Sequence, residues 1–397
     1  MASNRPSTLL LRVDGFGWQD CLATGPGSAI LGSLLFSALF PAPMSVKFLL
    51  RVAGTLLLAW AAAAACVALH TPLPWMIGPL LVTSLLSIGG APTESWDPLR
   101  NAGQWSIGAS LGLYFTPQVV ALVASLWWAI ALGIVWALVL GWLFGVWLYR
   151  VHAPRMHGVP ASMMRATSYF SGAIGAASEM TLLAERENAR TDLVAASHSL
   201  RLLIVTVTIP FALQWSGLHG LDILPPTVRA VSWPGLALLA LLTGAGALVM
   251  DRLGRANPWF MGALVVSMGL AMAGVALSAV PQGLVNAAQL VIGVSLGVRF
   301  RADFLRTAPR WLATVAGGTL VLMGVCALFA WLLARATGLP WVTLLLGTSP
   351  GGITEMAITA KVLQLGVPVV TAFQVCRLIA VLVLVEPLFR RIYPPTA

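Results

Sequence analysis

A chain of 397 residues that is 58% hydrophobic and only 9% charged, with a mean hydropathy of +0.89, leaves a polytopic membrane protein as its class. Its apolar runs of about 20 residues match one helical crossing of the hydrocarbon core rather than the short alternating strands of a barrel, so the expected fold is all-α. The net charge of +10 sits in single Arg residues and small groups in short loops, which excludes a nucleic-acid-binding patch and fits membrane topology instead.

In chain order, residues 1–43 form an N-terminal extension. Arg5, Arg12, Asp14 and Asp20 precede an apolar stretch from Ser28 to Phe40 that is too short for a comfortable span. An interfacial helix, an uncleaved leader and a start placed too early, ahead of Met44-Ser-Val-Lys-Phe, all fit. Residues 44–222 and 223–397 then read as two membrane repeats of six elements each. Helices are expected near 47–70, 74–90, 101–116, 119–148, 161–185 and 193–214, and again near 234–250, 258–279, 284–299, 311–334, 341–363 and 368–390.

Matched blocks support the duplication. Pro74-Trp75-Met-Ile-Gly78 recurs as Pro258-Trp259-Phe-Met-Gly262, and Asn101-Ala-Gly-Gln104 as Asn286-Ala-Ala-Gln289. Loop charge alternates between the copies. The first is basic before its first helix (Lys47, Arg51) and after its fourth (Arg150, Arg155, Arg165), whereas the second is basic after its first (Arg252, Arg255) and third (Arg299, Arg301, Arg306, Arg310). That alternation predicts inverted-topology repeats of about five crossings, with one element in each broken or re-entrant. The fifth element carries the break, as Ser171-Gly-Ala-Ile-Gly175 and as Gly347-Thr-Ser-Pro-Gly-Gly352. Gly and Pro there free backbone groups that lipid cannot satisfy.

Each break runs into the same charged signature. Ser178-Glu179-Met180 precedes Arg201, and Gly351-Gly352-Ile-Thr354-Glu355-Met356 precedes Arg377. Charges at membrane depth are costly and normally have partners. Glu179 and Glu355 could form static ion pairs with Arg201 and Arg377, or could exchange protons or cations while an Arg holds an anionic substrate. Ser178 and Thr354 could supply a neutral ligand or cap a half-helix. Asn101, Gln104, Asn286 and Gln289, one turn apart on their helices, could bond across the interior or line a path. His198 against Gln374 is the main asymmetry, either a pH-responsive group or a satisfied core His.

Other motifs carry less. Gly108-Ala-Ser110-Leu-Gly112 and Gly293-Val-Ser295-Leu-Gly297 match a nucleophile-elbow spacing but lie in apolar helical runs, so they read as small-residue packing faces. His152 and His157 flank Met156 in one loop without a metal-ligand cluster, and Cys21, Cys66, Cys326 and Cys376 have no close pairing, so no metal or cofactor is expected.

The repeated Gly-Gly-x-Thr/Ser-Glu-Met block, its downstream Arg and the Pro-Trp-x-x-Gly opening resemble the AbrB-type bacterial inner-membrane family, defined by a duplicated domain. The resemblance spans about residues 47–391, and Ala176 departs from it where the second copy has Gly352. It implies a multi-pass protein of the bacterial inner membrane. Members carry labels such as ammonia monooxygenase or regulator of gene expression, and are remotely similar to inverted-repeat transporters of the cation–proton antiporter and bile-acid symporter type. The resemblance carries the Glu and Arg positions over as motif residues, with no catalytic role attached. The leading expectation is a secondary transporter in the lipid bilayer, acting on an unidentified small molecule or ion through duplicated Glu and Arg. An indirect regulator of gene expression is the alternative, without direct nucleic-acid contact, and a metal-dependent monooxygenase ranks below both. Self-association stays open.

Overall fold

The computed structural model describes residues 45–155, 158–216, 230–255, 257–300 and 308–394. The expectations for residues 1–43 and for Met156 and His157 lie outside the described residues. Residues Leu50–Ala397 form one compact unit; Met1–Leu49 is a second, of which only the start of the first helix is described.

The described residues are all helical where regular. The elements are α1 (Val46–Ala68), α2 (Pro74–Ile88), α3 (Asp97–Gly112), α4 (Pro117–Ser125), α5 (Trp127–His152), α6 (Ala161–Gly172), α7 (Ala177–Arg186) and α8 (Thr191–Trp215). After these come α9 (Trp233–Arg252), α10 (Pro258–Met272), α11 (Gln282–Gly297), α12 (Pro309–Thr337), α13 (Trp341–Thr348), α14 (Ile353–Val362) and α15 (Val367–Ile392). Six of them, α1, α5, α8, α9, α12 and α15, are long and apolar enough to cross a bilayer. Leu57 on α1 and Leu241 on α9 are 68% and 69% exposed, and apolar surface of that kind on spanning helices is what lipid covers. The protein is a multi-pass membrane protein.

One expected helix divides. In place of a single helix over 119–148, the chain forms α4 and α5 with a break at Leu126, and α3 and α4 are bent by 89°. Pro117 starts α4 at its first turn, where a missing N–H costs nothing. Leu126 itself carries no breaker signal, being neither Gly nor Pro.

α2 and α10 start alike. Leu73 (φ 46°) and Asn257 (φ 50°) each take the left-handed conformation just before a Pro at the first helical position. α2 then packs on α11, and α10 on α3. Gly108 and Gly112 on α3 lie against the backbone of Phe260 and Leu264 on α10, and Gly293 and Gly297 on α11 lie against Met76 and Leu80 on α2. A Cβ at Gly293 would meet the Met76 carbonyl oxygen at 2.6 Å, closer than van der Waals contact allows. The glycine spacing therefore serves close helix packing.

The fifth element of each half is interrupted, with residues 173–176 separating α6 from α7 and residues 349–352 separating α13 from α14. Both pairs fold back as hairpins. The Arg190 N–H, just past α7, donates to Thr167 Oγ1 on α6 at 2.9 Å. Likewise a Cβ at Gly366, just past α14, would lie 2.9 Å from Thr343 Cγ2 on α13.

Candidate functional site

An interrupted helix leaves carbonyls without partners at one end and N–H groups without partners at the other. The carbonyl ends of α6 and α13 are satisfied by the two arginines. Arg201, on α8, donates from Nη1 to the carbonyls of Ser171 (3.2 Å) and Gly172 (3.3 Å), and from Nη2 to that of Ala173 (2.6 Å). Arg377, on α15, donates to the carbonyls of Ser349 and Gly351, the latter at 2.9 Å. Both side chains are buried, and each cation stands at the negative pole of a half-helix.

A neighbour one turn earlier steadies each guanidinium. Arg201 Nη2 lies 2.7 Å from His198 Nδ1, and His198 Nε2 lies 2.9 Å from the Phe170 carbonyl. An Arg can only donate, so Nδ1 accepts and Nε2 carries the proton given to Phe170. Gln374 does the same work with an amide. Its Oε1 accepts from Arg377 Nη2 and its Nε2 donates to the Leu346 carbonyl at 2.6 Å. The His/Gln difference thus conserves one acceptor and one donor, and the satisfied core histidine is the reading that holds.

The carboxylates take the opposite pole. Glu179 and Glu355 are each the third residue of their half-helix, α7 and α14, where an anion is favoured. Ser178 Oγ donates to Glu179 Oε2 at 2.8 Å, and the Glu355 carboxylate folds over Gly352, where a Cβ would collide with Oε2. Of the two readings of these charges, static Glu–Arg pairing is not what the structure forms. Among the described residues no ion pair joins Glu179 or Glu355 to an arginine, because the breaks supply each charge with a helix end. Glu355 is buried, whereas Glu179 is partly exposed.

Both breaks border one cavity of about 450 Å³. Ser178, Glu179, Arg201, Gly351, Gly352, Thr354, Glu355, Arg377, Asn101 and Gln104 line it. Asn286 and Gln289 do not: Asn286 accepts from Gln282 Nε2 at 2.9 Å, and Gln289 is buried within α11. Sequence reasoning missed other lining residues, namely Arg100, Asp251, Arg255, Trp259 and Arg299. Arg299 stands within electrostatic range of both Arg100 and Glu355. Its signal was a position two residues past Gly297, which read as ordinary loop charge. Besides the two breaks, the lining comes from the start of α3, the α9–α10 turn and the end of α11. Elsewhere α14 is tied to α3, where Lys361 Nζ donates to Ser110 Oγ at 2.6 Å. Among the described residues no cluster of three His, Cys, Asp or Glu is placed to hold a metal ion.

Known proteins share this layout of sequence. The chain is 25% identical over 345 residues to "Uncharacterized protein YhjN" of Bacillus subtilis (strain 168), covering 80% of this chain and 87% of that one. It is also 25% identical over 322 residues to "Putative regulator AbrB" of Escherichia coli (strain K12), covering 79% and 88%. The family described as "Transition state regulatory protein AbrB" matches residues 75–393, which include both hairpins and the whole cavity lining. The chain belongs to the AbrB family.

Proposed function

We propose that this protein is a secondary transporter of the inner membrane, built from two inverted repeats, with its binding site in the cavity between the hairpins. The observation that carries this reading is the convergence of two interrupted helices, each with its own Glu and Arg, on one water-accessible chamber. Broken helices at membrane depth are tolerated where they line a cavity, and carriers use them to bind solutes and ions at their half-helix ends. The exchange of partners between α2–α11 and α10–α3 supports the repeat, because a two-fold axis between copies would produce both pairs at once. By the positive-inside rule, Arg51, Arg100, Arg255 and Arg299 mark the cytoplasmic side, which makes the described conformation open inward.

In this mechanism Glu355 is the coupling group. It is buried beside the cavity without an ion-pair partner among the described residues, so its charge is relieved by a proton or a bound cation. Solid-supported-membrane recordings on proteoliposomes under pH and sodium gradients test this. A solute-dependent current lost in Glu355→Gln, with the variant still folded, is the expected result; full current in that variant removes Glu355 from the mechanism.

A second reading rests on the family description and the relative's name, which point to regulation. In that case the same cavity senses a solute and influences gene expression indirectly. Ligand binding without any solute-dependent current would favour it.

A further inference from the structure

The carrier reading leaves the cargo unspecified, but the charge of the cavity does not. Five guanidinium groups border it, on Arg100, Arg201, Arg255, Arg299 and Arg377, against the three carboxyls of Glu179, Asp251 and Glu355. Part of the excess is buried. Arg201 and Arg377 are buried, lie within electrostatic range of one another, and are held by backbone carbonyls that leave their positive charge intact. Arg377 Nε is also buried without a hydrogen-bond partner, which leaves one donor of this wall unsatisfied.

Arg299 differs from that pair. It is exposed, lines the cavity, and its side chain makes no hydrogen bond or ion pair among the described residues. It stands in range of Arg100, a like charge, and of the Glu355 and Asp97 carboxyls; Asp97 pairs with Arg100 at 3.2 Å, which offsets part of the repulsion between the two guanidinium groups and leaves Arg299 the one without an ion pair of its own among the described residues. A planar guanidinium fork matches a carboxylate in a way an ammonium cannot. The rest of the lining sets the body of the ligand. Ile174, Leu202, Trp259, Leu296 and Leu378 add apolar surface to the lining, and the volume falls in the range of about 300–1,000 Å³ typical of small-molecule sites.

We infer that the cavity binds a small organic anion, a carboxylate with an apolar body, held at its charged end by Arg299 with Arg100 and drawn in by the field of Arg201 and Arg377. The inference deepens the carrier reading and rests on it for the location of the site. Cations and neutral solutes are disfavoured by the same excess charge, which gives selection by sign before selection by shape.

The test is ligand-dependent thermal stabilisation of the purified full chain in detergent, followed by intrinsic tryptophan fluorescence. Probes are given as carboxylate and amide pairs of one shape: lactate with lactamide, succinate with succinamide, benzoate with benzamide. Inorganic sulfate and phosphate, and choline, complete the set. A ligand that binds only the folded state raises the midpoint in a saturable way. The expected result is saturable stabilisation by at least one carboxylate, none by its amide, a loss of at least tenfold in apparent affinity in Arg299→Gln, and partial retention in Arg299→Lys. Arg100→Gln provides a second variant with the same expected direction. No stabilisation by any carboxylate, equal stabilisation by an amide, or unchanged affinity in Arg299→Gln overturns the inference, as does response to choline or to inorganic anions alone. Recordings on proteoliposomes separate the two readings. Anion binding without current defeats the carrier and leaves the anion site standing, whereas current with a cationic or neutral solute and none with carboxylates defeats the anion and leaves the carrier.

Discussion

Replacing His198 with Gln should leave stability nearly unchanged, while replacing it with Leu should be severe. His198 accepts from Arg201 through Nδ1 at 2.7 Å and donates through Nε2 to the Phe170 carbonyl at 2.9 Å. Gln offers one acceptor and one donor on a side chain of similar reach, and Gln374 already does so beside Arg377. With both bonds retained, the expected cost of His198→Gln is under about 1 kcal/mol. Leu removes both partners at once. Loss of a hydrogen bond to a charged group costs about 1.5–3 kcal/mol, and a buried carbonyl left unpaired adds about 1–3 kcal/mol. The sum is about 2.5–6 kcal/mol, a large fraction of the stability of an ordinary domain. The assay is equilibrium unfolding in mixed micelles by titration with a denaturing detergent, with all three proteins compared under one condition. Equal destabilisation by Gln and Leu would refute the assignment of His198 as a hydrogen-bonding bracket for Arg201. A pH dependence of transport that changes in His198→Gln would refute it from the other direction.

Four further outcomes follow from the same geometry. Gly293→Leu drives a side chain into the backbone of α2 and should reduce folded yield sharply, whereas Gly269→Ala, with open space around it, should leave the yield unchanged in fluorescence-detected size exclusion. Gly352→Ala should displace the Glu355 carboxylate and impair activity more than Gly54→Ala, whose Cβ meets nothing. Asn286→Ala and Gln289→Ala should leave the affinity for cargo within about twofold, against a loss of about tenfold for Asn101→Ala or Gln104→Ala where a hydrogen bond to ligand is removed; equal effects in both pairs would contradict this assignment of the lining. Lys361→Met removes the donor to Ser110 and should loosen α14 from α3, read as faster thiol labelling of a cysteine in the cavity.

Much of this architecture is written in local chemistry. Pro74 and Pro258 announce helix starts because a ring-fixed φ suits the first turn, and Ser349-Pro-Gly-Gly352 announces a break because it both removes a donor and weakens the helix. The partners of the charges were not legible. Arg201 and Arg377 bond to carbonyls, which every residue carries, so no letter in the sequence marks them as targets and carboxylates looked like the natural partners. The break at Leu126 was invisible for a related reason. Ser125 and Trp127 flank it, and neither is a helix breaker. Arg100 and Arg299 were hidden by a true rule, since basic residues at helix ends normally mark the cytoplasmic side and nothing in the sequence separates an anchoring charge from one that lines a chamber. Asn286 and Gln289 match Asn101 and Gln104 in sequence, but a match between two blocks does not say which of them a cavity borders.

Sided access to the cavity tests the carrier account most directly. A single cysteine at Ala177, which lines the chamber, is placed in a background with the four native cysteines replaced, and labelled by a membrane-impermeant thiol reagent in intact cells and in inverted vesicles. The account predicts labelling from both sides, with cargo shifting the balance between them and Glu355→Gln suppressing that shift. Labelling from one side alone, unaffected by any solute, would show a fixed pocket and contradict transport.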